Sequence, residues 1–332
     1  MSNAFSVLTG SANPHLAAAI ARELEVEVGA CTLDRFPDGE IMVQLNVPVR
    51  RKEVFIVQPT SPPVNDHLIE LLAIADACRR ASAATITAVV PYFGYARADK
   101  RHGRREPVTG RVVADLLQAV GVGHVVAVDL HTPQIEGFFH VPVDSLTAVP
   151  VLCQALAHDV SSDLVIVSTD VGRIQMAASY AQCFGLPVTV LHKRRDSGSQ
   201  TEVTRIVGDV EGRPCLIVDD IISTGGTLAE SIRTLMSAGA RPEIMIAATH
   251  GPLLASARDK LYHPAVREIL VTDTVCCAEK DWPRLHVVSV APLIARAIKQ
   301  FLADGSLDEV YGEPLEGAKA RRVMTHETTL LS

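Results

Sequence analysis

Aromatic residues are scarce in this 332-residue chain, which has one Trp, five Tyr and eight Phe. None of them alternates with basic residues to form a stacking ladder, a pattern typical of single-strand nucleic-acid binding. Positive charge is not in excess either, since 31 Lys and Arg stand against 38 Asp and Glu, a net charge of −7. The composition therefore argues against nucleic acid as the main partner, and an anionic ligand must meet local basic clusters.

Long hydrophobic runs and paired cysteines are also missing from the sequence. No apolar run approaches the roughly 18 residues of a membrane span, and Met1-Ser2-Asn3-Ala4 does not begin a signal peptide. The seven Cys are scattered and form no CxxC motif. Their odd number and apolar neighbours predict reduced, mostly buried thiols. We therefore expect a cytoplasmic protein that has no membrane partner.

The length and the hydrophobic pattern predict two α/β domains. The chain is about twice the ~150 residues of an ordinary domain, and 48% apolar residues are enough for a well-packed core. A strand over 5–9 precedes a helix from 14 to about 24, and strands over 54–57 and 86–90 flank a helix over 66–80. This alternation predicts a mostly parallel sheet flanked by helices.

The second half of the chain repeats the pattern of the first. A shift of 160 residues places Val7 on Val167, and a shift of 161 places Val57 on Val218. We therefore predict an internally duplicated α/β unit of about 150 residues, although a shared α/β rhythm accounts for part of the match. The predicted boundaries are 1–148 for the first domain, 149–304 for the second and 305–332 for a mobile polar tail.

The strongest local signal follows the predicted strand at 215–218. Two carboxylates, three hydroxyls and two glycines precede a helix there, in the order Asp219-Asp220-Ile221-Ile222-Ser223-Thr224-Gly225-Gly226-Thr227. A helix N-terminus binds anions because its first N–H groups are free, and the carboxylates can take sugar hydroxyls or a metal through water. Gly-Gly-Thr alone is a common helix start, but the whole segment is much more specific. It is not a Walker loop, since no Lys follows the glycines.

This segment resembles the 5-phosphoribosyl-diphosphate-binding loop of the phosphoribosyltransferase superfamily. Other stretches, in order between about 5 and 303, narrow the resemblance to the ribose-phosphate pyrophosphokinase family; they are 35–40 (RFPDGE), 65–71 (NDHLIEL), 91–97 (PYFGYAR), 129–131 (DLH), 134–139 (QIEGFF) and 193–195 (KRR). The resemblance implies two tandem phosphoribosyltransferase-like domains, in agreement with the duplication. It also implies transfer of the β,γ-diphosphoryl group of ATP to the C1 hydroxyl of ribose 5-phosphate, giving 5-phosphoribosyl 1-diphosphate and AMP for nucleotide biosynthesis.

The resemblance also implies roles for the matching residues. Ribose 5-phosphate is held by Arg195, Asp219, Asp220, Ser223, Thr224, Gly225, Gly226 and Thr227. ATP is held by Phe36, Asp38, Gly39, Glu40, Arg97 and Ala98. The loop around Phe36 reaches into a neighbouring subunit in the family, which implies a homo-oligomer with a shared ATP site. Mg2+ is the implied cofactor, with His131 and Asp170 at its site.

Lys193 and Arg195 match the catalytic cations of a mobile loop in the family. Diphosphoryl transfer depends on alignment and on neutralising phosphate charge, which metal ions, Lys and Arg supply. The polar turn at 196–200 that follows them is suited to a lid that excludes water. An isolated Lys-Arg-Arg is more often a solvated edge, however. A lone His such as His131 is more often structural, and Mg2+ prefers oxygen ligands.

Four residues depart from the pattern of the family, and they cluster at nucleotide and phosphate contacts. Ser223 replaces a common acid, Ala98 replaces a Gln, Arg173 replaces a Gly and Met176 replaces an Arg. These changes are the only support for a first alternative, a non-catalytic regulatory homologue that assembles with an active paralogue. A second alternative is a phosphoribosyltransferase that consumes phosphoribosyl diphosphate. It is disfavoured because such enzymes typically need a single unit, and because the ATP motifs would be unexplained.

Overall fold

The computed structural model of the protein describes residues 5–101, 103–194, 202–276, 282–308, 310 and 322–323. Contacts between residues divide the chain into two units. The first unit comprises Met1–Thr147, Thr274–Cys276 and Val290–Gly312, and the second comprises Ala148–Asp273, Cys277–Ser289 and Glu313–Ser332.

The first unit contains seven described strands and four described helices. The strands are β1 (Phe5–Thr9), β2 (Cys31–Arg35), β3 (Ile41–Leu45), β4 (Glu53–Val57), β5 (Thr85–Val90), β6 (His124–Val128) and β7 (Val143–Leu146). The helices are α1 (Pro14–Glu23), α2 (Val64–Arg80), α3 (Thr109–Ala119) and, from the end of the chain, α8 (Ala291–Leu302). A 3-10 helix covers Pro133–Phe138.

Five of these strands form a parallel sheet in the order β1-β4-β5-β6-β7, while β2 and β3 form a separate antiparallel hairpin. Strand β4 is buried from Val54 to Val57 and strand β5 from Ile86 to Val90. Continuous apolar runs of this kind are expected because helices cover both faces of a parallel sheet. The same apolar runs made these strands predictable from the sequence.

The second unit contains eight described strands and four described helices. The strands are β8 (Val165–Ser168), β9 (Val188–Arg194), β10 (Glu202–Val207), β11 (Cys215–Ile221), β12 (Ile244–His250), β13 (Val266–Thr272), β14 (Leu285–Val288) and β15 (Arg322–Val323). The helices are α4 (Val149–Leu156), α5 (Ile174–Phe184), α6 (Gly226–Ser237) and α7 (Ser256–Leu261), with a 3-10 turn at Val171–Arg173.

The eight strands form one sheet in the order β10-β9-β8-β11-β12-β13-β14-β15. Its inner series β8-β11-β12-β13-β14 is parallel and repeats the series β1-β4-β5-β6-β7 of the first unit. Val7 and Val167 lie in the first strands of the two series, and Val57 and Val218 in the second strands. The sheet topology therefore agrees with the duplication that the two sequence shifts predict.

Local residue chemistry accounts for the ends of the helices. Asn13 precedes α1 and its Oδ1 accepts a hydrogen bond from the backbone N–H of Leu16 at 3.1 Å, while Pro14 takes the first position. Both residue types are favoured there because the first helical N–H groups lack partners in the helix. Gly185 follows α5 with φ of 67°, the left-handed conformation that favours glycine at a helix end.

The units differ from the predicted domains near the end of the chain. The main division lies after Thr147. Helix α8 groups with the first unit because it packs on α1. The sequence instead predicts 291–304 in the second domain. Arg322–Val323 pairs with β14 and is therefore part of a sheet, which differs from the predicted mobile tail. The predicted tail residues 309, 311–321 and 324–332 lie outside the described residues. No helix among the described residues is long and apolar enough to cross a membrane.

Candidate active site

The strand order of the second unit places a topological switch point at β8. From β8 the chain crosses to β9 on one side, and β11 then pairs with β8 on its other side. In open α/β sheets, ligands bind outside the carboxyl ends of the strands at such a point, because the two connections leave a crevice between them. The segments that follow β8 and β11 are therefore the expected walls of a site.

The segment after β11 begins a helix through an unusual backbone conformation. Gly225 has φ of 73° and ψ of 0°, and no side chain caps the N-terminus of α6 behind it. A Cβ at this position would lie 3.3 Å from the Cα of Ala257. Thr224, Gly226 and Thr227 are exposed. The helix therefore offers free backbone N–H groups and hydroxyls to an anion.

Backbone hydrogen bonds hold this loop against the segment that follows β12. The N–H of Leu253 donates to the carbonyl of Ile222 at 3.0 Å, and the N–H of Leu254 donates to the carbonyl of Ser223 at 2.9 Å. Ser223 itself is half-buried. The loop is thus fixed by main-chain contacts, so its hydroxyl groups are not needed to support it.

Two neighbouring carboxylates lie at the carboxyl end of β11. Asp219 and Asp220 are 7% and 3% exposed. The hydroxyl of Thr169 donates to Oδ2 of Asp219 at 3.1 Å, and the N–H of Asp220 donates to Oδ1 of Asp219 at 2.9 Å. Burial, followed by the charge of Asp220, raises the pKa of Asp219 to about 8.

Arg173 faces both carboxylates from the 3-10 turn that follows β8. Its Nε lies 3.3 Å from Oδ1 of Asp220 and 3.8 Å from Oδ1 of Asp219. Its charge lowers the pKa of Asp219, but burial and the second carboxylate outweigh it. Asp170, half-buried, precedes the turn, and its carbonyl accepts a hydrogen bond from the Ser168 hydroxyl at 2.8 Å.

In the first unit, the predicted ATP residues of the β2–β3 hairpin share its tip. Phe36 is 49% exposed, and its N–H donates to the carbonyl of Glu40 at 2.8 Å. The N–H of Glu40 donates to Oδ1 of Asp38 at 3.1 Å, and Gly39 has φ of 94°. An exposed aromatic ring on a tight polar turn is suited to stacking on a planar ligand.

The other predicted residues of the first unit lie in loops after β5 and β6. Arg97 is exposed and Ala98 half-buried in the first loop, and His131 is half-buried in the second. The hydroxyl of Thr132, next to His131, donates to Oδ2 of Asp99 at 2.9 Å. These two loops are therefore in contact at the carboxyl edge of the sheet.

The start of α2 connects the hairpin to the loop after β5. Asp66 forms an ion pair with Arg35 of the hairpin at 2.9 Å, and Asn65 accepts a hydrogen bond from the hydroxyl of Tyr95. The structure thus links the tip around Phe36, the loop with Arg97 and the loop with His131 along one edge of the first unit.

The predicted catalytic cations are described only in part. Lys193 lies in β9, where its backbone pairs with Val203 of β10. Arg195 lies outside the described residues. The roles of these two residues stay predictions.

Comparison with known proteins decides the family. A family model described as the N-terminal domain of ribose phosphate pyrophosphokinase matches residues 5–121, and a phosphoribosyl transferase domain model matches residues 143–284. The chain belongs to the ribose-phosphate pyrophosphokinase family. The predicted family and the predicted fold of two tandem phosphoribosyltransferase-like domains are therefore confirmed.

Individual relatives cover nearly the whole chain. A ribose-phosphate pyrophosphokinase of Corynebacterium efficiens is 42% identical over 309 residues, which is 92% of this chain and 95% of that protein. One of Gloeobacter violaceus is 42% identical over 92% of each chain. The solved phosphoribosylpyrophosphate synthetase of Mycobacterium smegmatis is 41% identical, with a TM-score of 0.85 over 91% of this chain and 99% of that one.

Sequence reasoning missed the ion pairs of Arg173 and the hydroxyl contact of Thr169. From the sequence, Arg173 is only a departure from the pattern that the resemblance implies. A signal was present, because two adjacent acids at the end of a buried strand need a cation or hydrogen-bond donors nearby. The partner was not predictable, since Asp219 and Asp220 belong to a different strand.

Proposed function

We propose that the protein is a ribose-phosphate diphosphokinase, which transfers the β,γ-diphosphoryl group of ATP to the C1 hydroxyl of ribose 5-phosphate. One observation carries the proposal: a free helix N-terminus and two buried carboxylates meet at the switch point of the second unit. The helix N-terminus suits a phosphate, and the two carboxylates suit sugar hydroxyls. Membership of the family supports the assignment of both substrates.

Ribose 5-phosphate binds with its two ends on different parts of this site. Its phosphate accepts hydrogen bonds from Thr224, Thr227 and the backbone N–H groups at the start of α6. Its ring hydroxyls donate to Asp219 and Asp220. Support comes from the φ of 73° at Gly225, which lets the main chain approach an anion without an intervening Cβ.

ATP binds at the carboxyl edge of the first unit. The adenine stacks on Phe36 and contacts the turn with Asp38, Gly39 and Glu40, while Arg97 and the backbone at Ala98 meet the phosphates. The exposure of Phe36 at a hairpin tip supports a site that a neighbouring copy of the chain completes. We therefore also propose a homo-oligomer in which ATP lies between subunits.

Mg2+ is the proposed cofactor. Asp170 in the second unit is a proposed ligand, and the resemblance implies a metal-site role for His131 in the first unit. Mg2+ in nucleotide sites takes one or two carboxylates together with substrate phosphates and water. The half-buried carboxylate of Asp170, at the carboxyl end of β8, fits that requirement. A bound Mg2+ neutralises charge on the phosphate oxygens.

The side chains of the second unit orient the acceptor and stabilise the transferred group. Asp219 and Asp220 hold the ring so that the C1 oxygen meets the β-phosphorus of ATP in line with the leaving AMP. The C1 oxygen forms the new bond, the bond from the β-phosphorus to the bridging oxygen breaks, and the hydroxyl proton passes to water. Lys193 and Arg195 stabilise the negative charge on the transferred group.

The test is a product assay with the purified full chain, MgATP and ribose 5-phosphate. We expect AMP and 5-phosphoribosyl 1-diphosphate to form in equal amounts, without ADP. Formation of ADP would indicate an ordinary kinase, and absence of turnover would favour the regulatory homologue. Product formation that required phosphoribosyl diphosphate as a substrate would favour a phosphoribosyltransferase.

We also propose a cytoplasmic location. The six described cysteines are all free thiols, and Cys78, Cys153 and Cys215 among them are buried. Free thiols persist where the compartment is reducing, which supports this location.

A further inference from the structure

We propose that Arg173 is a positioning residue for the sugar: it holds the carboxylates of Asp219 and Asp220 in the orientation that accepts the hydroxyls of ribose 5-phosphate. The inference rests on the proposed function of the same site. It assigns a role to Arg173, for which the resemblance implies none.

The geometry of the cluster carries the inference. The side chain of Arg173 is 13% exposed, and those of Asp219 and Asp220 are 10% and 4% exposed. The Nε of Arg173 lies 3.3 Å from one carboxylate and 3.8 Å from the other. A guanidinium is planar and presents several donors in a fixed arrangement. At 3.3 Å it can fix the direction of the carboxyl group of Asp220, while at 3.8 Å its charge attracts that of Asp219.

The arrangement ties together the two strands that form the switch point. Arg173 ends the turn after β8, and Thr169 of the same segment donates its hydroxyl to Oδ2 of Asp219 at 3.1 Å. Two contacts from the β8 side thus reach the carboxylates at the end of β11. Preorganised acceptors bind a hydroxyl more strongly than mobile ones, because less orientational freedom is lost on binding.

Fixed acceptors also lead to discrimination between sugars. A site built to hydrogen-bond a hydroxyl rejects an analogue that lacks it, because buried polar groups are then left unpaired. If Arg173 orients the carboxylates, its loss weakens the binding of ribose 5-phosphate more than the binding of 2-deoxyribose 5-phosphate. A purely structural ion pair has no such preference, since its loss affects both sugars equally.

The experiment compares the full-length wild type with Arg173→Met and Arg173→Lys. Arg267→Met is the matched control, because Arg267 forms an exposed ion pair with Asp159 at 2.7 Å in the same unit. Isothermal titration calorimetry measures the affinity for each sugar phosphate, and initial rates measure the KM for ATP and kcat.

We expect Arg173→Met to lower the affinity for ribose 5-phosphate by about 10-fold and the affinity for 2-deoxyribose 5-phosphate by at most about threefold. The KM for ATP and kcat should stay within about twofold of wild type, because uniform binding alone is lost. Arg173→Lys should weaken ribose 5-phosphate by only about threefold, because it keeps the charge but loses the planar arrangement of donors. The control should match the wild type.

Unchanged affinities in Arg173→Met, equal losses for both sugars, or tighter binding would each overturn the inference. If Arg173→Met does not fold, Arg173→Lys decides, and an unchanged affinity for ribose 5-phosphate there would overturn it. A wild type that makes AMP while the Arg173 variants behave normally would refute the inference alone. A wild type that neither binds ribose 5-phosphate nor turns over would refute the proposed function and the inference together.

Discussion

Replacement of Gly225 by Ala tests whether the backbone of the loop before α6 binds the sugar phosphate. Gly225 has φ of 73°, a conformation that L residues rarely adopt. A Cβ there would also lie 3.2 Å from Cγ of Leu261 and 3.3 Å from the Cα of Ala257. The Leu261 side chain can move away, but the Cα of Ala257 belongs to the main chain of α7.

The expected magnitude follows from these two effects. A left-handed conformation costs an L residue about 1–2 kcal/mol. The Cα of Ala257 blocks movement of the new Cβ toward α7. The chain from Thr224 to Thr227 must therefore shift away from its position to relieve the strain. If the full cost appears in ground-state binding, the KM for ribose 5-phosphate rises about 5- to 30-fold, since 1.4 kcal/mol is tenfold. The KM for ATP should change less than about twofold.

Gly212→Ala is the matched control, because it introduces the same kind of strain elsewhere in the second unit. Gly212 has φ of 65°, and no atom lies within 4 Å of the Cβ position. Gly212→Ala should lower Tm by about 2–8 °C, from 1–2 kcal/mol at roughly 2–4 °C per kcal/mol, and Gly225→Ala should lower it less, by the part of the cost that does not appear in binding. Only Gly225→Ala should raise the KM for ribose 5-phosphate. Equal KM values in the two variants, or an equal rise for ATP, would refute the reasoning.

The remaining predictions concern catalysis, assembly and pH. Lys193→Ala should lower kcat by roughly 10²–10⁴-fold with little change in the KM for ATP, because it removes charge stabilisation of the transferred group. Wild-type turnover in this variant would exclude the role, as would an equal loss in the control Lys260→Ala, which changes an exposed residue. Asp38→Ala should raise the KM for ATP, and mixing it with Lys193→Ala should restore part of the activity if subunits exchange and share a site; exchange without rescue would contradict the shared site. The Tm of Asp219→Asn minus the Tm of the wild type should increase with pH, because only the wild type loses stability as this carboxyl group ionises. Because burial raises the pKa of Asp219 to about 8, the stability that its protonated form contributes is complete below about pH 4 and lost as pH rises through about 8. Thermal unfolding between pH 4 and pH 9 measures the difference, which a pH-independent offset would contradict.

The fold class was predictable because the buried parallel strands contain mainly apolar residues. The strand at 54–57 and the helix at 66–80 were placed within a few residues of β4 and α2. Strand β11 was predicted to end at Val218, where two acids follow, but it continues to Ile221. Its backbone still pairs with β12 at Asp219 and Ile221. Main-chain pairing does not depend on side-chain polarity, so the polar residues concealed the end of the strand.

The site was predictable where its residues are adjacent in the chain and unpredictable where they are not. The segment from Asp219 to Thr227 is one continuous motif, and its strand, loop and helix are in the predicted order. The partners of its carboxylates, Arg173 and Thr169, come from the segment after β8. Their approach depends on the pairing of β8 with β11, a tertiary contact that local patterns do not encode. The packing of α8 on α1 was missed for the same reason.

The two duplicated units differ in the connection between the first two strands of each series. Between the first two strands of each series lies a hairpin, β2–β3 in one unit and β9–β10 in the other. In the second unit β9 joins the sheet beside β8, so β8 becomes the switch point. In the first unit the chain also returns beside β1, but only through one parallel bridge between Val7 and Val28, and β2 and β3 then pair in a sheet of their own. The hairpin of the first unit is therefore free to present Phe36 at an exposed tip, whereas β9 and β10 extend the sheet of the second unit.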